Sequence, residues 1–364
     1  MTILADLLRP ELANLMSYVP HAREGIRIRL DANEAPPSRS AAVKDAVLRA
    51  TAAVALERYP DPRALRLREA LSKRTGAPVN SLLVGTGSDE VIALVMNALA
   101  RPRDRTPQAT VLTPIPTFVM YRVTARAHGL KPIEVPLDAA WDLDSTMMKR
   151  AIELMAPNIV FVASPNNPTG NRVADERLNE LVEASSKALF VLDEAYVDYS
   201  GPSRRTLRET HANVGILRTL SKVGLAALRV GWLEADPGLV AEIDKGRQPF
   251  NVSAVAQAAA AEVLEHAWDA VQADVAEVIR QRAIVAHAIA ELPGFGVTPS
   301  DANFLWIKSP LGGEHTFEAL ARQGILVRSF HTTGGRMGTQ IRVTIGAESE
   351  NEQLVAALRR MVAA

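Results

Sequence analysis

The sequence predicts an α/β protein with a large domain, whose mostly parallel central sheet is covered by helices, and a smaller α+β domain. From about Asn80 onward, short apolar runs rich in β-branched residues alternate with helical patterns. The runs are apolar on both faces, as the strands of a sheet covered on two sides must be. After Pro249 the pattern changes to long alanine-rich helices followed by three apparent strands.

The elements of the large domain follow one another as strand and helix pairs. SLLVG precedes a predicted helix from Ser88, ATVLT one from Thr117 and NIVFVAS one from Asp175, and ALFVLDE is the next strand. In the smaller domain the strands are ANFLWIK, GILVRSF and QIRVTIG, followed by a final helix. The alanine-rich helices have no sustained heptad of apolar residues, so packed helices are favoured over a coiled coil.

The chain length also indicates two domains, because 364 residues exceed the size at which single cores usually stop growing. Residues 1–36 are assigned to an N-terminal arm and part of the small domain. Residues 37–250 are assigned to the large domain and residues 251–364 to the small domain. A cleft is the expected place for a ligand.

Composition argues against several classes of function. Lys plus Arg is 41 and Asp plus Glu is 41, so there is no net basic field to attract nucleic acid or an anionic membrane. The absence of cysteine removes disulfides and thiolate metal sites, and it suits a reducing compartment. The stretch MTILADLLRPEL contains acids and a proline, so neither a signal peptide nor a membrane span is expected. We therefore expect a cytoplasmic protein with a small-molecule ligand. None of the seven histidines forms a metal-binding spacing, so no metal is assigned.

The first polar strand end is a glycine-rich turn. Ligands of open α/β sheets gather at the carboxyl ends of the strands. LLVGTGSDE ends in Gly85, Thr86, Gly87 and Ser88 and opens a helix, so its N–H groups and helix dipole suit a phosphate. An ordinary Ser N-cap is the alternative. The full dinucleotide pattern G-x-G-x-x-G is absent, because Glu90 occupies its last position.

Three further strand ends carry polar groups. Two adjacent asparagines, Asn166 and Asn167, follow one strand and place amide groups where a ligand would lie. Asp193 directly follows the apolar run LFVL, and Tyr196 comes three residues later. A buried carboxylate is costly unless it is paired, so a partner is expected for Asp193. The alternative is that Asp193 caps a helix. In RTLSKVGLAALRVGW, Lys222 is the one lysine, and an apolar run leads from it to Arg229.

Together these groups match the needs of pyridoxal 5′-phosphate. Its aldehyde needs a lysine for a Schiff base, its pyridine nitrogen an acid partner, and its phosphate an arginine with N–H donors. Lys222 is predicted to form the Schiff base, Asp193 to pair with the pyridine nitrogen, and Asn167 with Tyr196 to donate to the ring oxygen. The predicted phosphate ligands are Thr86, Gly87, Ser88, Ser221 and Arg229, and the aromatic face is Phe118.

The order of the motifs resembles a known family. LDANEAP (Leu30 to Pro36), RYPDP, GTGSDE, PTF, SPNNPTG, LDEAY, SK and IRVTIG (Ile341 to Gly346) occur in the order found in the fold type I, class II aminotransferases that depend on pyridoxal phosphate. Among these the chain resembles the histidinol-phosphate aminotransferases. The resemblance implies a homodimer with shared active sites, in which Tyr59 reaches the neighbour's cofactor phosphate.

The resemblance also assigns residues to the substrate. Arg342 looks like the arginine that binds an α-carboxylate, and Arg328 looks like a second arginine for a phosphate ester. Tyr18 resembles a tyrosine that closes on the same group, and Asn33 of LDANEAP is assigned to the substrate as well. The spacing from Lys222 to Arg229 is one residue shorter than the commoner family spacing. His331 and Arg336, in a glycine-rich segment, receive no role.

The implied reaction is a two-stage exchange with ping-pong kinetics. Histidinol phosphate and 2-oxoglutarate would give imidazole-acetol phosphate and glutamate, and Lys222 would carry the Cα proton. An aromatic amino acid aminotransferase and a threonine-phosphate decarboxylase share the overall pattern and stay open as alternatives. A non-catalytic regulatory protein that binds pyridoxal phosphate is a more distant one, against which the retained Lys222, Asp193 and Arg229 argue.

Overall fold

The computed structural model describes residues 23–103 and 106–363, together with Leu7, Leu12 and Leu15. Its strands, in chain order, are β1 (Ile28–Leu30), β2 (Leu82–Thr86), β3 (Thr110–Ile115), β4 (Lys131–Pro136), β5 (Ile159–Ala163), β6 (Leu189–Asp193), β7 (Val214–Thr219), β8 (Val230–Glu234), β9 (Gly296–Thr298), β10 (Phe304–Lys308), β11 (Ile325–Ser329) and β12 (Gln340–Thr344). They form a seven-stranded sheet in the order β2-β8-β7-β6-β5-β3-β4 and a five-stranded sheet in the order β1-β11-β12-β10-β9.

The larger sheet is parallel from β4 to β7, which confirms the predicted α/β class. Strand β8 runs antiparallel to both β7 and β2. Only residues 220–229 connect β7 to β8, and a parallel return needs a crossover of a dozen or more residues. The chain therefore turns back directly, and this short connection carries Lys222.

Helices surround both sheets. They are α1 (Ala41–Ala52), α2 (Leu65–Thr75), α3 (Gly87–Ala98), α4 (Met120–Ala127), α5 (Ser145–Met155), α6 (Asp175–Ala184), α7 (Thr206–Thr210), α8 (Pro237–Asp244), α9 (Ala254–His266), α10 (Trp268–Ala290), α11 (Gly313–Arg322) and α12 (Glu348–Ala363). In the described ranges, none of the helices combines the length and the apolar character needed to cross a bilayer.

The larger sheet has a hydrophobic core on each face. On β5, Phe161 packs into the core formed with α3, α4 and α8, whereas Val160 and Val162 pack into the core formed with α5 and α6. Successive side chains of a strand point to opposite faces, so a sheet covered on both sides needs an uninterrupted apolar run. This arrangement explains the runs in the sequence.

The smaller sheet joins distant parts of the chain. Strand β1 pairs in parallel with β11, and β10, β11 and β12 pair antiparallel. Its core includes Leu30 of β1, Val278 of α10 and Leu358 of α12. The large sheet is built from residues 82–234, and the small sheet from β1 and residues 296–344. The boundaries proposed after residues 36 and 250 stay predictions.

Among the differences from the sequence-based expectation, two have a direct structural reason. The helix expected from Thr117 begins at Met120, because residues 116–119 form a turn in which the Thr117 hydroxyl donates to Asn166 Oδ1 at 2.7 Å. Strand β4, with the sequence KPIEVP, was not among the expected strands, since it contains two prolines. It forms one edge of the sheet, where proline is tolerated.

Candidate active site

The carboxyl ends of β5, β6 and β7 bring the predicted catalytic residues to one edge of the sheet. The three strands are parallel neighbours, and Ala163 lies beside Asp193, which lies beside Leu217. The polar residues that follow these ends, Asn167 and Lys222, are therefore held close to Asp193 by the sheet itself.

Asp193 is buried and hydrogen-bonded through both carboxylate oxygens. The Tyr121 hydroxyl donates to Oδ2 at 2.5 Å, and the Ala195 N–H donates to Oδ1 at 2.9 Å. Burial raises the pKa of Asp193 from 3.8 to about 6, while the bonds from Tyr121 and Ala195 and the charge of Lys222 act in the opposite direction. Asp193 is thus a buried carboxyl whose charged form needs a cationic partner.

Lys222 is half-buried beside Tyr196. Its Nζ lies 5.8 Å from the centroid of the Tyr196 ring, and none of the described residues accepts a hydrogen bond from it. The Tyr199 hydroxyl donates to the Lys222 carbonyl oxygen at 2.6 Å and fixes the backbone. Gly224, with a φ of 91°, permits the sharp turn that follows. The amine is held in place at its backbone and left available at its tip.

Tyr196 links Lys222 to the small domain. The Asn33 amide donates to the Tyr196 hydroxyl at 2.9 Å, and Asn33 is itself bound by Thr344 of β12. The ring of Tyr196 also packs edge-on against Phe304, with 5.2 Å between the centroids. Asn33, which was assigned to the substrate, therefore contacts a predicted cofactor residue.

The predicted phosphate turn lies against Arg229. Helix α3 begins at Gly87, whose N–H donates to the Arg229 carbonyl oxygen at 2.7 Å. A Cβ on Gly87 would lie 2.6 Å from Arg229 Nη2, and one on Gly231 would overlap the Ser88 backbone nitrogen. These two glycines let the start of α3 approach the guanidinium closely. The connection from Lys222 ends in a left-handed backbone at Arg229, with a φ of 52°.

The guanidinium of Arg229 faces Ser221. Arg229 Nη1 lies 3.3 Å from Ser221 Oγ, and Nη2 lies 3.4 Å from Asp89 Oδ2. The Asp89 pair is about half exposed, and such pairs contribute little. The Thr86 hydroxyl, in contrast, donates to the Asn251 carbonyl oxygen at 2.8 Å. Arg229, Ser221 and the start of α3 form a basic cradle, to which Thr86 contributes its position in the turn.

The two asparagines of SPNNPTG have different hydrogen-bond partners. Asn166 is used inside its own loop, where its amide donates to the Pro116 carbonyl oxygen and to Thr169 Oγ1. Asn167 instead accepts from Arg342 Nη1 at 2.6 Å. Asn167 is thus the asparagine that joins the large domain to the predicted carboxylate-binding arginine.

Phe118 and Tyr59, two of the predicted aromatic site residues, differ in how far they are buried. Phe118 is half-buried and packs edge-on against Tyr121, with 5.6 Å between the centroids. Tyr59 is 82% exposed and stacks on Phe250 at 4.6 Å, on the surface of this subunit. Tyr18 lies outside the described residues.

The structure places Arg336 in the link between the two domains. Its guanidinium donates to the carbonyl oxygens of Leu137 and Asp138 and lies 3.7 Å above the Trp141 ring. His331 contacts Ser329 within its own segment, with 2.9 Å between Nδ1 and Oγ. Arg336 therefore fastens the glycine-rich segment to the large domain.

Sequence reasoning missed Tyr121 and Tyr199. Tyr121 is fully buried and holds Asp193, and Tyr199 holds the backbone of Lys222. Tyr121 is three residues after Phe118, and Tyr199 is three residues after Tyr196. Side chains three residues apart lie on the same side of a helical turn, so each tyrosine can face the same site as the predicted residue before it. That spacing was the available signal.

Comparisons with known proteins agree with this arrangement. The profile of the family described as aminotransferase class I and II matches residues 26–360. The chain belongs to this family. It is a pyridoxal-phosphate-dependent aminotransferase of fold type I.

Its relatives cover the whole length of the chain. Histidinol-phosphate aminotransferase 1 of Burkholderia mallei is 36% identical over 360 residues, which are 99% of each protein. Histidinol-phosphate aminotransferase of Chromobacterium violaceum is 37% identical over 356 residues, 98% of each. The structure of the Sinorhizobium meliloti histidinol-phosphate aminotransferase in complex with pyridoxal 5′-phosphate shares the fold, with a TM-score of 0.85, 24% identity and coverage of 98% of this chain and 97% of that one.

The residues of this aminotransferase fit its cofactor. The buried carboxyl of Asp193 meets the requirement for a partner to a protonated ring nitrogen, since burial makes its charge costly without a cation. The glycines beside Arg229 leave a cradle that a Cβ would fill. Lys222 offers an amine at the same strand edge. The site thus provides an acid, an amine and a phosphate cradle in one place.

Proposed function

We propose that this aminotransferase transfers the amino group of histidinol phosphate to 2-oxoglutarate, giving imidazole-acetol phosphate and glutamate, as a cytoplasmic enzyme of histidine biosynthesis. The observation that carries the proposal is a pair of arginines. Arg328 on β11 lies directly opposite Arg342 on β12 in the antiparallel register. Residues in such a position share one face of the sheet, and like charges placed there destabilise it unless an anion separates them.

The face that carries the two arginines is the one turned to the active site. Thr344, two residues after Arg342 and hence on the same face, contacts Asn33, which binds Tyr196. Arg342 bonds to Asn167 and to the Asp31 carbonyl oxygen. No described residue accepts a hydrogen bond from Arg328 or forms an ion pair with it. Two adjacent cations, one with free donors, suit the two negative charges of a phosphate ester.

The protein residues divide the work of the reaction. When bound, pyridoxal phosphate supplies an electron sink for the carbanion formed at the substrate carbon. Lys222 Nζ removes the Cα proton of the amino substrate and carries it as an ammonium group. Asp193 remains ionised, and its negative charge would stabilise the protonated ring nitrogen of the bound cofactor. Asn167 and Tyr196 orient the reacting groups, and Arg229 with Ser221 and the start of α3 binds phosphate.

The pair of arginines also accounts for the second substrate. Arg342 binds the α-carboxylate of 2-oxoglutarate, and Arg328 binds its other carboxylate. Because histidinol phosphate and 2-oxoglutarate both carry a doubly charged anionic portion, one pair of cations serves both halves of a ping-pong cycle.

Replacing Arg328 by glutamine is expected to impair histidinol phosphate more than a monocarboxylate amino acid. The change removes a charge-assisted contact worth about 1.5–3 kcal/mol. This corresponds to a loss of about ten- to a hundredfold in kcat/KM for the phosphate ester. The measurement is the ratio of kcat/KM losses for histidinol phosphate and phenylalanine in the same variant.

Arg322→Gln is the matched control, because Arg322 is an exposed arginine at the end of α11. It should leave both kcat/KM values near wild type. Equal losses for both substrates in Arg328→Gln would contradict the proposal and favour an aromatic amino acid aminotransferase. If the enzyme instead released carbon dioxide from threonine phosphate and formed no glutamate, it would be a decarboxylase of threonine phosphate.

We also propose that the enzyme is a homodimer in which Tyr59 completes the neighbour's active site. Tyr59 and Phe250 form an exposed aromatic pair, in which the two residues are 82% and 37% exposed. Aromatic residues are enriched at the centres of protein interfaces, and a tyrosine there can also donate its hydroxyl. The stacked pair therefore supplies a rigid contact from which the hydroxyl reaches a phosphate of the other subunit.

Mixing the Tyr59→Phe and Lys222→Ala proteins tests the shared site. In a heterodimer, one of the two sites would then combine Lys222 from one subunit with Tyr59 from the other. Random exchange in an equal mixture should restore about a quarter of the wild-type sites. Activity is measured at limiting cofactor, where Tyr59→Phe alone is weak. No gain over the parents, once mass spectrometry shows that subunits have exchanged, would refute a shared site.

A further inference from the structure

A second cavity lies beside the active site but uses none of the residues assigned to cofactor or substrate. It encloses about 290 Å³ between α2, the segment that follows Tyr196, the β7 and β8 pair, and the junction of α9 and α10. Its walls are mainly apolar and aromatic and include Leu71, Leu220, Leu264, Trp232 and Trp268. A cavity of 150 Å³ is large enough for benzene, so this one accommodates a ring with a substituent.

Two arginines face this cavity, each placed over an indole. Arg218 lies directly opposite Trp232 in the β7 and β8 register, and its guanidinium carbon is 5.6 Å from the Trp232 ring centroid. The guanidinium carbon of Arg74, on α2, is 4.8 Å from the ring centroid of Trp268. All four residues line the cavity. It therefore combines flat apolar surfaces with two planar cations.

The protein residues around the two guanidinium groups do not use their hydrogen-bonding capacity. In the described parts of the chain, no residue accepts a hydrogen bond from Arg74 or Arg218. The one acidic residue of the lining, Asp198, has Oδ2 at 3.6 Å from Arg218 Nη2, which is longer than a hydrogen bond. Each guanidinium carries five N–H donors, so one carboxylate at this distance leaves most of them without an acceptor.

The charges around the cavity favour an anion. Two cations and one carboxylate line it, which leaves a net positive charge. Burial lowers the pKa of Arg74 below its usual value, and Arg218 adds to this effect, while Asp198 and Asp269 oppose it. Asp269 acts on Arg74 but does not line the cavity. A bound anion would replace water as the acceptor for Arg74, which is exposed, and would supply acceptors to Arg218, whose side chain is 17% exposed.

We infer that this cavity is a second binding site, specific for a small carboxylate that carries an aromatic ring. A carboxylate matches the planar fork of a guanidinium and accepts two parallel hydrogen bonds from it. The ring would lie against the indoles of Trp232 and Trp268, which favour aromatic partners. An inorganic anion would use the arginines but leave the apolar walls exposed to water. The inference is independent of the proposed substrates.

Calorimetric titration of the cofactor-loaded enzyme with phenylacetate tests this site. Saturable binding is expected at millimolar or lower concentrations, with phenylacetamide, the neutral isostere, bound at least about tenfold more weakly. The double variant Arg74→Gln/Arg218→Gln should weaken phenylacetate by about tenfold or more. The single Arg74→Gln variant, at an exposed position of α2, should weaken it in the same direction and serves if the double variant does not fold.

Arg342→Gln separates this cavity from the active site, where a carboxylate would also bind. Phenylacetate binding to the cavity should persist in Arg342→Gln and be lost selectively in the Arg74 and Arg218 variants. Loss of all binding in Arg342→Gln would assign the signal to the active site and overturn the inference. Equal affinity for phenylacetate and phenylacetamide, unchanged affinity in Arg74→Gln, or the absence of saturable binding would overturn it as well.

Discussion

Replacing Lys222 by alanine is expected to lower turnover by about 10⁴-fold or more, because general acid and base catalysis alone contributes up to about that factor. Among the described lysines, Lys222 is the one that follows the carboxyl end of a strand of the parallel sheet. The variant should also lose covalent attachment of the cofactor. The measurements are glutamate formation in a coupled assay, and borohydride reduction followed by peptide mapping, which should label the Lys222 peptide in the wild type only.

Lys187→Ala provides the matched control for this prediction. Lys187 is exposed and precedes β6, so it lies at the end of that strand opposite Asp193. Its replacement should leave turnover and cofactor attachment near wild type. A Lys222→Ala protein that retained the label, or kept turnover within tenfold of wild type, would show that another amine performs the chemistry.

Much of the site can be predicted from sequence because its groups follow buried strands. Asp193, Asn167 and Lys222 each come soon after an apolar run, and parallel strands bring such positions to one edge. Local sequence also distinguishes Arg229, which ends the run that leads from Lys222 to β8. These inferences need only the order of strands and the chemistry of the side chains.

The rest of the site depends on contacts between distant parts of the chain. Tyr121 and Asp193 are 72 residues apart. Their hydrogen bond exists because the Tyr121 ring stacks on Phe161 of β5, the strand beside β6 in the sheet. Arg328 faces Arg342 because of the register of β11 and β12, and a shift of one residue would turn either side chain to the other face. Arg336 reaches Leu137 across 199 residues. No local pattern determines such distances.

The edge strand β4 and the direction of β8 were the least predictable parts of the larger sheet. The run KPIEVP lacks the apolar character of a central strand, and its placement at an edge explains why the prolines are tolerated. Strand β8 is antiparallel because the connection that carries Lys222 is short. The sequence of β4 thus reflects its edge position, whereas β8 lies between β2 and β7, is buried throughout, and owes its direction to the short connection alone.

Asp193→Asn is expected to lower kcat by about 10²- to 10³-fold, the range found when a preorganised electrostatic contact is removed. The amide has nearly the same shape and still accepts a hydrogen bond from the Ala195 N–H, so the fold should be kept. It carries no negative charge to stabilise a protonated ring nitrogen. Turnover and cofactor absorbance are measured together, since some cofactor should remain bound through Arg229 and Ser221.

Tyr121→Phe distinguishes loss of the charge from loss of the local structure. It removes the hydrogen bond to Asp193 Oδ2 and leaves the carboxylate in place. Because that bond lowers the pKa of Asp193, the variant should raise the pKa further and reduce kcat by about tenfold or less, the worth of one net hydrogen bond. Near wild-type turnover in Asp193→Asn would contradict the role of the charge.

The raised pKa of Asp193 also makes the stability of the cofactor-free protein depend on pH. The pKa is about 6 in the folded state and 3.8 for the free side chain, so folding favours the protonated carboxyl. The contribution of Asp193 to the free energy of unfolding is fully present below pH 3.8 and is lost as the pH rises through about 6.

Asparagine does not titrate, so from pH 4 to pH 7 the unfolding free energy of wild type should fall relative to that of Asp193→Asn by about 2–3 kcal/mol. Urea unfolding of both cofactor-free proteins at the two pH values measures this difference. If the difference in unfolding free energy between the two proteins did not change with pH, Asp193 would have an ordinary pKa. Its ionised form would then cost the cofactor-free protein no stability.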